Sequence, residues 1–310
     1  MLLTVVICTF NPNLNTLYLV LNALKGQSIP LSAWELLIID NNSTTPLEQI
    51  LDLSWHPIAK IIREEKPGLS YARVKGVTFS KSELIVFVDD DNLLDKNFLQ
   101  QSYEFYKNNP QVGCFGGRSL PVFETTPPDW FKDAGIKLGC QDFGNEPYIS
   151  DYSSVGFKLF SYPEKAPIGT GMVIQKKAFV TYLQEVDSDE ERMKLGRKGQ
   201  LLSSGEDNDI ILTIIKKGYE IAYVPKLLVH HMIPLRRYSI DYLQKMAFES
   251  NKSWVKVLAI HNLCQWKRIN KWTYGLRKMK SYLKNRAWQS PQSSIQWYKS
   301  CGKLKGLSEI

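Results

Sequence analysis

Apolar positions along the first hundred residues alternate between strand-like runs and helical spacing. Leu3–Thr9 is a β-branched run, and residues 13–27 carry Leu14, Leu17, Leu21 and Leu24 one helical turn apart. Residues 35–40 form a second apolar run that ends in the turn-forming Asn41-Asn42-Ser43. Ala59–Arg63 reads as a short third strand, and Pro67-Gly68 precede a helix over 70–79. Residues 84–88 predict a fourth strand and 95–108 the next helix. Strands joined by helices of this length predict an α/β domain with a mostly parallel sheet flanked by helices. Ligands of such a sheet lie beyond the carboxyl ends of its strands. Thr9, Asp40, Glu64 and Asp89 all fall at such ends.

After Pro110 the periodicity weakens. Residues 112–117 predict a strand, whereas 119–167 are rich in Pro, Gly and aromatic residues without clear elements, the mark of a functional loop or lid. A strand over 168–175, a helix over 205–217 closed by Gly218, a strand over 219–224 ended by Pro225 and a helix over 238–260 follow.

Charge divides the chain. From residue 251 onward there are thirteen Lys/Arg against Glu309 alone, a net of +12, so with +8 overall the first 250 residues carry about −4. Trp254, Trp266, Trp272, Trp288 and Trp297 share that basic tail. Basic residues mixed with Trp suit the headgroup layer of an anionic membrane. They also suit nucleic acid, or packing on the main domain with the charges solvated. The membrane surface is the expected partner and nucleic acid is not.

With 44% apolar and 12% aromatic residues, the 310-residue chain can bury a substantial core. No run approaches the roughly 18 apolar residues of a spanning helix. The first ten residues lack a basic region and a cleavage site, so they read as a strand and not a signal peptide. Cys8, Cys114, Cys140, Cys264 and Cys301 show no metal-ligand spacing and are odd in number, which points to a reducing cytoplasm.

The chemistry concentrates at Asp89-Asp90-Asp91-Asn92, directly after Leu84-Ile85-Val86-Phe87-Val88. Three carboxylates at the end of a dry strand raise one another's pKa, and desolvation adds to the cost. A divalent cation removes that cost and attracts phosphate, so the cluster predicts a metal-diphosphate site. A calcium loop fails because Leu93 and Leu94 stand at its fifth and sixth positions. An ATPase would need GxxxxGK[ST], which does not occur. An aspartyl phosphatase would not place Leu93 where it stands. A solvated acidic turn capping the helix at Asp95 is the competing structural reading.

Val5-Val6-Ile7-Cys8-Thr9-Phe10-Asn11, Ile38-Ile39-Asp40-Asn41-Asn42-Ser43, Pro67-Gly68-Leu69-Ser70-Tyr71-Ala72-Arg73 and Phe87-Val88-Asp89-Asp90-Asp91 follow one another in order. Gly169-Thr170-Gly171-Met172, Gly205-Glu206-Asp207 and His231-Met232-Ile233-Pro234 with Arg237 extend the series. Together they resemble family 2 glycosyltransferases of the GT-A fold over roughly residues 3–250. The resemblance implies a Rossmann-like mixed, mostly parallel sheet over 1–250, with a nucleotide-sugar half to 118 and an acceptor half over 119–250. A helical basic extension over 251–310 would follow.

It also implies roles. Asp40 would accept hydrogen bonds from base or ribose, with Thr9 and Asn11 lining the pocket and Glu64 helping to close it. Arg73 would face the pyrophosphate. Asp91 would hold Mn²⁺ or Mg²⁺, with Asp89 and Asp90 on the donor side, Asp89 reaching ribose or a metal-bound water. Asp207 would be the general base and Glu206 would orient the acceptor or the base, although both also suit a helix start, and Asp209 is a rival base. His231 would join the metal or diphosphate, or be a buried hydrogen-bonded histidine. Gly169, Thr170, Gly171 and Trp130 would meet the acceptor, and Phe131, Tyr148 and Tyr152 offer further flat faces for sugar rings.

The expected reaction is inverting, metal-dependent transfer from a nucleoside diphosphate sugar, a UDP-sugar first, to a glycan or lipid-linked glycan. The setting would be surface-polysaccharide or lipopolysaccharide assembly at the inner face of the plasma membrane. A nucleotidyltransferase would want a Gly-rich basic loop where Asn11-Pro12-Asn13-Leu14 stand, and a non-catalytic scaffold would not need Asp91 and Asp207.

Overall fold

The computed structural model describes residues 1–150, 162–186, 189–199 and 201–310. The first half is built from β1 (Leu3–Thr9), α1 (Leu14–Lys25), β2 (Trp34–Asp40), β3 (Ala59–Arg63), α2 (Leu69–Phe79), β4 (Leu84–Asp89), β5 (Asn92–Leu94) and α3 (Phe98–Asn108). The second half comprises β6 (Val112–Phe123), β7 (Tyr148–Ile149), β8 (Val173–Gln175), α4 (Lys176–Val186), α5 (Glu190–Met193), α6 (Glu206–Lys216) and β9 (Glu220–Ile233). Helices α7 (Ile240–Ile260), α8 (Tyr274–Lys284) and α9 (Pro291–Glu309) complete the chain.

Hydrophobic pattern decides the layers. Leu3, Val5 and Ile7 of β1 face a core shared with Leu17, Leu21 and Leu24 of α1 and Phe98 of α3. Val6, between them in sequence, faces the opposite core with Ala72 of α2, Phe179 of α4 and Ile211 of α6. The period of two therefore buries both faces of a helix-covered sheet. The strand order is β3-β2-β1-β4-β8-β6-β9-β5, with β7 on β9. β3, β2, β1 and β4 run parallel, and β8 enters antiparallel between β4 and β6. Register aligns Thr9 with Asp40 and Cys8 with Asp89, so the carboxyl ends of the parallel strands open on one side.

Two expectations give way in the second half. The strand expected to stop at Pro225 continues to Ile233, and the one expected to stop at Gly117 continues to Phe123. They pair in parallel on both sides of an irregularity, Gly116 with Tyr223 and then Arg118 with Leu228. Pro225 lies in the excess residues of β9, where no ladder donor is needed. Gly117 is required opposite them, since a Cβ there would collide with the Leu227 and Val224 carbonyls. The 119–167 stretch also carries structure: the end of β6, a 3₁₀ turn at Asp129–Ala134 and β7. Tyr152 lies outside the described residues.

The basic tail is helical, and α7 runs unbroken through residue 250. α9 lies along α7 with Gly302 and Gly306 at the contact. A Cβ on Gly306 would come within 2.7 Å of Val255 Cβ, and one on Gly302 would overlap the Phe248 carbonyl. Such spacing of small residues lets two backbones approach closely. Gly302→Ala should therefore overpack this seam at a cost of about 1–3 kcal/mol. A thermal melt should show the midpoint falling by a few degrees, whereas Gly275→Ala, with open space around its Cβ position, should not lower it comparably.

Candidate active site

A cleft of about 1260 Å³ opens over the carboxyl ends of β1 and β4. It exceeds the roughly 300–1,000 Å³ that holds one small ligand, leaving room for two substrates. Thr9, Asn11, Arg73, Asp89, Asp90, Asp91, Gly169, Thr170, Glu206, Asp207 and His231 all line it. Asp40, Glu64, Gly171 and Trp130 do not.

The absences have local causes. Asp40 is 1% exposed; its Oδ1 accepts from Ser43 N at 2.9 Å, and its Oδ2 accepts from Leu47 N and Arg63 Nη1, both at 3.1 Å. It holds the turn after β2, and the neighbouring Asn41 takes the place on the cleft wall. Asn41 in turn accepts from Gly68 N at 2.7 Å and donates to Lys66 O at 2.7 Å, tying the loop before α2 to the end of β2. Glu64 pairs with Lys75 at 3.7 Å. Gly171, at φ +70, turns the chain into β8, and a Cβ there would meet Val229 at 2.6 Å. Trp130 packs beside Phe131 in a cluster with Tyr238, Leu243 and Ile295, and its carbonyl accepts from Gln292 of α9. Tyr148 pairs in β7 away from the cleft.

The acid cluster forms the cleft floor. Thr9 Oγ1 donates to Asp90 Oδ2. Burial and the charge of Asp91 push the Asp90 carboxyl up to about 7, and the same two causes raise Asp89. Asp91 behaves oppositely. Burial works to raise it, but His231 and Arg237 outweigh burial and hold it below the usual carboxylate range. Arg237 Nη1 lies 2.9 Å from Asp91 Oδ2, and Asn92 Nδ2 donates to Asp91 Oδ1 at 2.9 Å.

His231 reaches this point because β5 pairs antiparallel with β9, setting Asn92 opposite His231, and Met232 N donates to Asp91 O at 2.9 Å. Burial lowers the imidazole pKa, but Asp91 outweighs it and lifts it to about 9. Against that, Arg237 Nη1 stands 3.0 Å from Nε2, a distance at which it donates only to an unprotonated nitrogen. Asp91 Oδ1 is farther, at 3.5 Å, so the shorter contact favours a neutral ring while Arg237 stays in place.

Among the described residues no group of three His, Cys, Asp or Glu is arranged to hold a metal ion. Asp91 Oδ1 and His231 Nε2 do fit as two donors. Their 3.5 Å separation is less than twice a bond of about 2.1 Å, and Mg²⁺-type sites draw their remaining ligands from phosphate and water. Arg237 would have to release Nε2.

The far wall is the first turn of α6. Asp207 Oδ2 accepts from Gly169 N at 3.2 Å, leaving the carboxylate on the cleft surface. Glu206 beside it is buried and lies 3.7 Å from Arg73. Burial pushes its carboxyl up to about 7, with Arg73 opposing and Asp207 adding. Arg73 is held by Glu206 and Asp89 and stacks over Phe87 at 5.2 Å. Gly169 lies over its end, where a Cβ would come within 2.8 Å of Arg73 Nη2 and push the guanidinium aside. Asp209, the rival base, is fully buried and turned away. It accepts from Arg192 Nε and Nη2, each at 3.0 Å, and lies 2.7 Å from His261 Nε2. Arg197, Lys198 and Arg236 also line the cleft and are exposed, but carry no motif signal in the chain.

Residues 4–179 match the model described as "Glycosyl transferase family 2", more than half of the chain, and the protein belongs to that family. It is 21% identical over 224 residues to the glucosyl-dolichyl phosphate glucuronosyltransferase of Haloferax volcanii, covering 69% of this chain and 64% of that one. It is 29% identical over 133 residues to the poly(ribitol-phosphate) β-N-acetylglucosaminyltransferase TarP of Staphylococcus aureus, covering 39% and 40%. The chain thus spans less than two thirds of the length of these curated relatives. The fold matches S. aureus TarS 1–349 in complex with UDP-GlcNAc at a TM-score of 0.53 and 14% identity, covering 98% of this chain and 91% of that one. It also matches GalNAc-T7 with UDP, GalNAc and Mn²⁺ at a TM-score of 0.56 and 16% identity, covering 99% of this chain and 56% of that one. The architecture is that of GT-A enzymes.

The two acids of α6 are separable by stability. Asp209→Ala strands Arg192 in the core and should cost about 3–5 kcal/mol in urea unfolding, whereas Asp207→Asn should change stability little. Folded Glu206 holds its proton up to about pH 7, whereas the unfolded chain releases it near 4.5. The native state binds more protons in that window, so Glu206 makes stability fall as pH rises from about 4.5 to about 7. Unfolding curves across that range should show a shallower fall for Glu206→Gln, with Asp90 contributing the same sign in both proteins.

Proposed function

We propose that the protein transfers a sugar from a nucleoside diphosphate sugar, a UDP-sugar first, to a hydroxyl of a glycan or lipid-linked glycan with inversion at the anomeric carbon. The setting we infer is surface-polysaccharide or lipopolysaccharide synthesis, on the cytoplasmic face of a membrane. The observation that carries this reading is a single cleft with the Asp89–Asp91 floor on one side and Asp207 on the other. Family membership favours it over nucleotidyl transfer. The activities of the H. volcanii and S. aureus relatives and the UDP-GlcNAc bound to TarS support the donor and acceptor classes.

Thr9, Asn11 and Asn41 would bound the nucleotide, with Asp40 acting through the turn it holds. Asp91 and His231 would hold Mn²⁺ or Mg²⁺, with Asp89 and Asp90 on the donor side. A divalent ion there supplies electrostatic stabilisation of the departing diphosphate. Arg73 shares its charge with Glu206 and Asp89, so the exposed Arg197 and Arg236 are better placed to meet phosphate oxygens. Asp207 takes the proton from the acceptor hydroxyl as its oxygen bonds to the anomeric carbon and the bond to the diphosphate breaks. The Gly169 N–H fixes the carboxylate for that task, and Gly169 and Thr170 leave space for the acceptor beside it.

Calorimetric titration with UDP-sugars, with and without Mn²⁺, tests the division of labour. Asp91→Asn should lose the metal-dependent part of donor binding. Asp207→Asn should retain donor binding and lower transfer by about 10²–10⁴-fold, the usual contribution of a general base. Transfer that survives a chelator would remove the metal from the reaction, and loss of donor binding in both variants would remove the base assignment.

A further inference from the structure

The tail resolves into one helix that packs and one that presents an unpartnered face. α9 is seated on α7, whereas α8 has no buried residue. One side of α8 is nevertheless occupied. Tyr282 meets Trp297 at 5.1 Å, Lys278 O accepts from Trp297 Nε1 at 3.2 Å, and Lys305 stands over Tyr274 at 5.7 Å. Tyr274, Lys278 and Tyr282 are four residues apart, so they form one stripe against α9.

The other side is apolar and bare. Leu276 is 69% exposed, Met279 61% and Leu283 59%, and Trp272, just before the helix, is 92% exposed. Positions 272, 276, 279 and 283 recur every three or four residues and so share one face. Arg277, Lys280 and Lys284 flank that face, with Lys271 and Arg286 at its ends. None of these five forms an ion pair among the described residues. Glu309, the tail's sole acid, is engaged elsewhere by Lys252, Lys256 and Lys305. Isolated exposed apolar residues need no explanation, but a lined-up stripe of four bordered by uncompensated cations does.

We propose that α8, with Trp272 at its leading end, is an interfacial helix that lies in the headgroup layer of an anionic lipid bilayer. No helix among the described residues is long and apolar enough to cross a membrane, so the attachment is in the plane of the surface. Trp272, Leu276, Met279 and Leu283 enter the acyl boundary while Arg277, Lys280 and Lys284 meet anionic headgroups. Charge complementarity selects this occupant. A second copy would bring the same cations against these, at a cost in repulsion. The packing of α8 on α9, and of α9 on α7, couples the surface-bound helix to the catalytic domain. Such attachment would hold whatever reaction the cleft performs.

Flotation of the full chain with phosphatidylcholine vesicles containing or lacking about a third phosphatidylglycerol tests it, at low and high salt. The protein should float with the anionic vesicles, and less so at high salt. Leu276→Ser/Met279→Ser/Leu283→Ser should lower the vesicle affinity by more than about tenfold. Arg277→Gln/Lys280→Gln/Lys284→Gln should do so by more than about tenfold as well, since each removes a cation from the headgroup layer. All these side chains are exposed, so thermal midpoints and donor hydrolysis in solution should stay at wild-type values. Failure of wild type to float with anionic vesicles, or undiminished flotation of the serine variant, overturns the proposal. So does a wild-type dimer that the serine variant abolishes, since the face would then belong to a second copy.

Discussion

Three adjacent carboxylates at the carboxyl end of a buried strand can share a cleft floor only if cations or protons offset their charge, and much of the site answers that constraint. Asp91 remains ionised because Arg237 and His231 face it, whereas Asp89 and Asp90 are pushed toward their protonated forms by burial and by Asp91. Arg73 performs the same service between Asp89 and Glu206. Opposite charges placed this deep stabilise the cluster only with close geometry, since the desolvation of both partners opposes the gain.

The scaffold that brings Arg237 and His231 to the floor is the irregular part of the sheet. β9 continues beyond Pro225 because the extra residues are absorbed opposite Gly117, and the strand then reaches β5 with His231 against Asn92. Arg237 follows one turn later, beyond Pro234. A single strand thus links the bulge, the acid floor and the entry to α7. On the other wall, two acids two residues apart at the start of α6 have opposite fates. Asp207 faces the cleft beside the Gly169 N–H, while Asp209 closes a buried network with Arg192 and His261.

Much of the first half was legible from the chain. Alternating β-branched runs and leucines at helical spacing place β1, β2, β3 and β4 within a residue or so of their observed ends, because local pattern and tertiary burial agree there. Agreement was weaker where one feature serves two purposes. Pro225 reads as a strand end, yet a bulge tolerates it. Trp130 reads as a sugar platform, yet it packs in a hydrophobic cluster touched by α9. Asp40 and Asn41 are consecutive polar residues at a strand end, and only the turn geometry makes one an anchor and the other part of the wall.

By itself, the sequence determined the α/β layering, the acid cluster at the end of β4, the acids that open α6 and the basic character of the tail. All of these follow from spacing and charge within a few residues. Tertiary structure alone decided which acid faces the cleft, which cations offset the floor, and which tail helix keeps one face bare. These depend on strand register and on partners more than a hundred residues away, such as Arg237 for Asp91. No local pattern records a contact whose energy comes from a distant part of the chain.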